Sequence, residues 1–139
     1  MPPKTASART PHWLWPLLLL LGCITALIAW LIVALALGRQ AGWMAILVAL
    51  ESAFMLRLAG FRPGPARART ALIATAIVIA LAQWAIASAQ IGAVMGLDVL
   101  ASALRMGPRL AWQLTALANN WIDLACWGVA CVAAWFAAR

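Results

Sequence analysis

Acidic residues are almost missing from this chain. Glu51, Asp98 and Asp123 are the only three among 139 residues, and charged residues of either sign make up 9% of the sequence. A soluble domain carries about 25%. Lysine occurs once, at Lys4, and histidine once, at His12. The three cysteines, Cys23, Cys126 and Cys131, form no C-x-x-C pair and have no neighbouring histidine. Each shortage excludes a chemistry. A lone histidine rules out bis-histidine haem ligation within one chain, and scattered cysteines in apolar runs provide neither a zinc site nor a disulfide framework. There is no glycine-rich phosphate loop and no serine–histidine pair at depth. We therefore expect no catalytic residues, no metal and no cofactor, and read the cysteines as small apolar packing residues.

What the chain does have is apolar surface: 67% of its residues are hydrophobic. Soluble domains average about 45–50%. A water-soluble fold of this size could not hide that much, so lipid is the expected solvent. The net charge of +7 is interspersed between apolar runs. That distribution orients a membrane protein and does not make a nucleic-acid surface.

Four stretches approach the roughly 20 apolar residues that a crossing helix needs. They lie at about 13–37, 43–61, 71–91 and 110–138. "GRQAG" turns tightly between the first two, and "RPGPARART", over 62–70, is a basic loop. "LLGC" at Leu20–Cys23 resembles a lipoprotein signal, but the apolar run continues to Leu37. A signal peptide's apolar core is only about 7–15 residues, so this segment reads as a retained helix. "GLDVLASALRMGPR" predicts a short surface helix capped by Asp98, with Leu97, Leu100, Ala101 and Leu104 on one face. The expected fold class is an all-α membrane protein: a four-transmembrane-helix antiparallel bundle with a short amphipathic surface helix between helices 3 and 4. It forms a single polytopic domain over residues 1–139.

Basic residues set the orientation. Lys4, Arg9, Arg57, Arg62, Arg67, Arg69 and Arg139 would share one side, and Arg39, Arg105 and Arg109 the other. The larger group marks the cytoplasm, so both termini are expected there. The arginine- and alanine-rich, lysine-poor usage fits a bacterial inner membrane. Arg62, Arg67 and Arg69 in the loop would contact anionic lipid or an acidic partner.

Within the spans, a few polar groups require explanation. At 1.5 Å per residue, Glu51 falls roughly 12 Å below Trp43 and Asp123 roughly 16 Å below Trp112. Both then lie near the middle of a core about 30 Å thick. Thr25 and Gln83 fall at similar depth, and Asn119 and Asn120 belong to the same span as Asp123. Thr115, Asn119, Asp123 and Cys126 would form one stripe of a continuous fourth helix. Polar groups facing lipid tails have no partners, so these faces should point inward. Thr25, Glu51, Gln83, Asn119, Asn120 and Asp123 form the candidate intramembrane polar site, with both acids neutral and hydrogen-bonded. Ala130, Ala134 and Ala138 are spaced for close helix approach.

Almost no mass lies outside the membrane. The expected function is a non-catalytic subunit or accessory partner of a larger inner-membrane complex, reached through a larger membrane protein or self-association. The alternative is a small proton- or cation-coupled transporter or channel using Glu51 and Asp123, because intramembrane acids commonly mark such routes.

Overall fold

The computed structural model describes residues 13–139. Lys4, Arg9 and His12 lie outside the described residues. The described chain is all-helical, with no strand: α1 (Leu14–Leu37), α2 (Met44–Leu58), α3 (Pro65–Met95), α4 (Val99–Arg105), α5 (Pro108–Ala118) and α6 (Trp121–Ala138). Three of these, α1, α3 and α6, are long and apolar enough to cross a membrane. At 15 residues, α2 falls short of that length.

Backbone chemistry explains the boundaries. Gly38 ends α1 in the left-handed region at φ +63°, and the amide of Arg39 folds back to donate to Ala34 O. No atom crowds the position of a Cβ at Gly38, so the dihedral and not space calls for glycine there. The turn that follows keeps Ala41 at φ +48°, which is rare for an L side chain. α3 begins six residues before the expected position 71. Pro65 opens it with a pre-set φ and no N–H to satisfy, so the end of the basic loop is helix.

The largest departure concerns the fourth apolar run. The expected helix over 110–138 is two helices, because Asn119 and Asn120 are both extended, at ψ 134° and 166°. A capping box closes the start of α6. Asn120 Oδ1 accepts from the Trp121 amide, and Asp123 Oδ2 accepts from the Asn120 amide at 3.2 Å. These side chains satisfy the amides that a helix start leaves open, which offsets the loss of helical continuity.

The core is built around α2 and α3. Both pack against α1 on one side and α6 on the other, while α1 and α6 do not pack on each other. The shortest of these four helices is thus central. Small side chains permit the close approach: Ala45, Ala49 and Ala53 of α2 meet Ala26 and Ala34 of α1 and Ala130, Ala134 and Ala138 of α6 in one buried cluster. Along α1 and α2 the pairings run in opposite order, Trp30 with Gln40 and Thr25 with Glu51. Along α2 and α6 they run together, Gly42 with Asp123 and Arg57 with Ala137.

α4 and α5 both pack along the later half of α3. Ser88 Oγ lies 3.8 Å from Met106 Sδ, and a Cβ on Gly92 would lie 2.8 Å from Ser102 Oγ. Ser102 of α4 turns to α3, where Gly92 leaves room only for a small side chain, while Leu100 and Leu104 are exposed. Asp98 takes the N-cap position of α4 without a side-chain capping bond.

Candidate functional site

The candidate polar residues fall into two groups, not one layer. Glu51 projects from the middle of α2 toward α1, where Thr25 Oγ1 lies 2.9 Å from Glu51 Oε1. Thr25 Oγ1 is also 2.9 Å from Gly22 O and 3.1 Å from Leu21 O of its own helix. One hydroxyl has one proton and two lone pairs. It can donate to its own backbone while accepting from a neutral Glu51, or donate to an ionised one. Either way the pair joins α1 to α2.

The second group gathers where the α1–α2 turn meets the break between α5 and α6. Asp123 Oδ1 accepts from the Gly42 amide at 2.9 Å while its other oxygen caps α6. Asp123 is therefore level with the turn and not with Glu51. The two carboxylates are separated by about nine residues of rise along α2, roughly 13 Å. A mid-depth Asp123 requires an unbroken helix from Trp112, and the helix breaks at Asn119–Asn120. Beside Asp123, Asn119 Nδ2 donates to Thr115 O at 2.7 Å and more weakly to Gln83 Oε1 at 3.4 Å.

Several buried polar atoms near this break have no partner: both amide atoms of Gln40, Nε2 of Gln83, Oδ1 of Asn119 and Nε1 of Trp127. Nothing in the sequence marks Gln40, because it sits in a turn, where polar residues normally meet water. Here Gln40 is 4% exposed, and its backbone carbonyl accepts from the buried Trp30 indole at 2.9 Å. Clefts open near the break and beside α5. One, of about 440 Å³, lies between α3 and α5; another, of about 360 Å³, lies beside Asp123. The third, of about 340 Å³, lies among α3, α5 and α6.

The residues of the basic loop occupy the opposite end. Arg62 and Arg69 are exposed, but Arg67 is only 7% exposed and turns inward. Its Nε donates to Ala138 O, its Nη1 to Phe61 O at 3.2 Å and its Nη2 to Arg139 O at 3.2 Å. Arg57 Nη2 donates to Ala137 O at 2.7 Å. Two guanidinium groups thus cover the open carbonyls and negative dipole end of α6. The legible signal was Pro65. Starting the helix there puts Arg67 on the same face as Ala71, Ala74 and Val78, all buried.

Among the described residues no cluster of His, Cys, Asp or Glu could hold a metal. Cys23, Cys126 and Cys131 are free thiols, half-buried within α1 and α6. The chain matches no protein-family model, no curated protein and no solved structure.

Proposed function

We propose that the protein is a multi-pass component of a bacterial inner membrane, serving as a non-catalytic subunit or accessory partner of a larger membrane complex. In this reading it crosses four times, through α1, α2, α3 and α6, with both termini cytoplasmic. The end-to-end pairing of α2 with α6 supports the fourth crossing, since α6 is itself long enough to span. The observation that carries the functional reading is the commitment of both acids to helix–helix bonds. Glu51 is joined to Thr25, and Asp123 to Gly42 and Asn120. No hydrogen bond links the two carboxylates, so a proton or cation route would have to cross the interval between them unaided.

Partner contact is then left to the outward faces. α1 and α6 present rows of exposed Ile, Leu, Val and Phe on opposite sides of the molecule, suited to lipid or to neighbouring membrane helices. Arg62 and Arg69 are free to meet anionic lipid headgroups, an attraction of about 1 kcal/mol each near the surface. Extraction in a mild detergent should bring down a stoichiometric larger membrane protein. Recovery of this chain alone or self-associated would count against the reading. Flux through vesicles containing only this protein, abolished by Glu51→Gln, would establish the transporter instead.

A further inference from the structure

We propose that the cleft among α3, α5 and α6 holds one acyl chain of a phospholipid from the non-cytoplasmic leaflet, whose phosphate rests on Arg105 and Arg109. The proposal rests on the membrane placement given above, in which α3 and α6 both cross. The cleft, of about 340 Å³, has walls of alanine, isoleucine and tryptophan, among them Ala76, Ile79 and Ala80 of α3. Gln83 and Trp127 also line it, but Gln83 Nε2 and Trp127 Nε1 are closed off from any occupant. A polar molecule therefore finds almost nothing to bond inside, whereas a hydrocarbon gives up no hydrogen bond by entering. Counted from Arg67 at 1.5 Å per residue, Ala76 lies roughly 14 Å along α3 and Gln83 roughly 24 Å. With Arg67 at the cytoplasmic edge of a core about 30 Å thick, the cleft runs from mid-depth toward the far edge. That is the depth of the far leaflet's own chains.

Depth and width narrow the occupant. Water would find too few polar partners there. A transmembrane helix, about 10–12 Å across with its side chains, is too broad to enter. Left empty, the walls would forgo the dispersion contacts that packed atoms supply. A single chain, narrow and flexible, restores them. Charge at the rim then selects the head. Pro108 lines the cleft, Arg109 follows it directly, and Arg105 precedes it by three residues. Both arginines are exposed. Trp84, another wall of the cleft, donates its indole N–H to Ala103 O at 3.4 Å, which holds the end of α4, and Arg105 with it, near the same rim. No carboxylate lines the cleft. Two guanidinium groups beside an apolar slot match a phosphate above a hydrocarbon chain.

The test uses the full chain, delipidated in mild detergent and titrated with palmitoyl-oleoyl phosphatidylglycerol while native mass spectrometry counts bound lipids. Saturation at one lipid per chain is expected. Diacylglycerol with the same chains lacks the phosphate and should bind more weakly. Arg109→Gln should weaken phosphatidylglycerol about fivefold and leave diacylglycerol unchanged. Ala80→Leu fills the cleft from an exposed position of α3 and should abolish the single bound lipid. Ala76→Leu repeats that test at a second exposed position, should the first variant fail to fold. Ala93→Leu adds the same bulk on the same helix outside this cleft and should leave binding intact. A graded series of adducts indifferent to both cleft-filling variants would mean a shared lipid annulus only, and would overturn the proposal. So would equal binding of the two lipids, or, in place of lipid binding, self-association that Ala80→Leu abolishes, since a second copy's side chain would then fill the cleft. A chain that fails to enter lipid nanodiscs would overturn the membrane placement, and this proposal with it.

Discussion

Glu51 and Thr25 show how a carboxyl can sit within an apolar helix without a positive partner. Because Thr25 also reaches its own backbone at 2.9 Å, its hydroxyl can accept from a neutral side chain at position 51. Glu51→Gln should therefore leave stability within about 0.6 kcal/mol of the original, the mean for an interhelical hydrogen bond in lipid. Glu51→Leu removes the bond and should lower stability by a similar or larger amount. Unfolding in mixed detergent micelles, followed by tryptophan fluorescence, separates the two. A large loss on Glu51→Gln would mean that ionisation, not the hydrogen bond, is what the site requires. Backbone dihedrals give a second test at this scale. Ala41, at φ +48°, bears the penalty for an L residue in the left-handed region, about 1–2 kcal/mol. Ala41→Gly should raise the unfolding midpoint, whereas Gly38→Ala should lower it. Neither residue's dihedral was legible in "GRQAG", which announces a turn and not its type.

At the scale of elements, Asp123 ties the start of α6 to the start of α2. A Cβ at Gly42 would lie 2.7 Å from the Asp123 Cα, so these backbones approach as closely as glycine allows. Gly42→Ala should force the two helices apart and destabilise the fold by about 1–3 kcal/mol. Asp123→Ala should cost about 0.5–2 kcal/mol through the lost cap. Asp123→Asn keeps one acceptor oxygen but sets its N–H₂ against the second donating amide, so it should lose stability much as Asp123→Ala does, which chemical unfolding of the three variants would check. Apolar length made α1, α3 and α6 readable from sequence, because burial in lipid depends on the sum over a segment. The break at Asn119–Asn120 is invisible to such a sum. It arises from two side chains competing locally for backbone groups, and Asp123 three residues after Asn120 was the available sign of a helix start. The fate of Arg67 was hidden for a related reason. A run of arginines reads as a solvated loop until Pro65 is recognised as the first residue of a helix.

For the molecule as a whole, the proposed four crossings make a sidedness prediction. Single cysteines introduced at Arg62 or Arg69, in a background with Cys23, Cys126 and Cys131 replaced by alanine, should react with a membrane-impermeant thiol reagent only from the cytoplasmic face. Cysteines at Arg39 or Arg105 should react only from the other. Labelling of the Arg39 and Arg62 positions from the same side would remove α2 from the set of crossings. The pattern of packing also explains why the polar residues could be found but not grouped from sequence. Which of them meet depends on α2 lying between α1 and α6, an arrangement that no periodicity within a single helix encodes.

That central place of the shortest helix has a consequence for synthesis. α2 carries Glu51, Ser52 and Arg57 within 15 residues, and its two ends are fastened to α6, which leaves the ribosome later than α2 does. Until α6 emerges, the amide of Gly42 and the guanidinium of Arg57 lack the partners that hold α2 in register. Nascent chains arrested before Trp121 should therefore leave the 41–61 segment open to protease, and release of the full chain should close it. α6 would then fix in register a helix made far earlier, making the order of translation part of the fold's assembly.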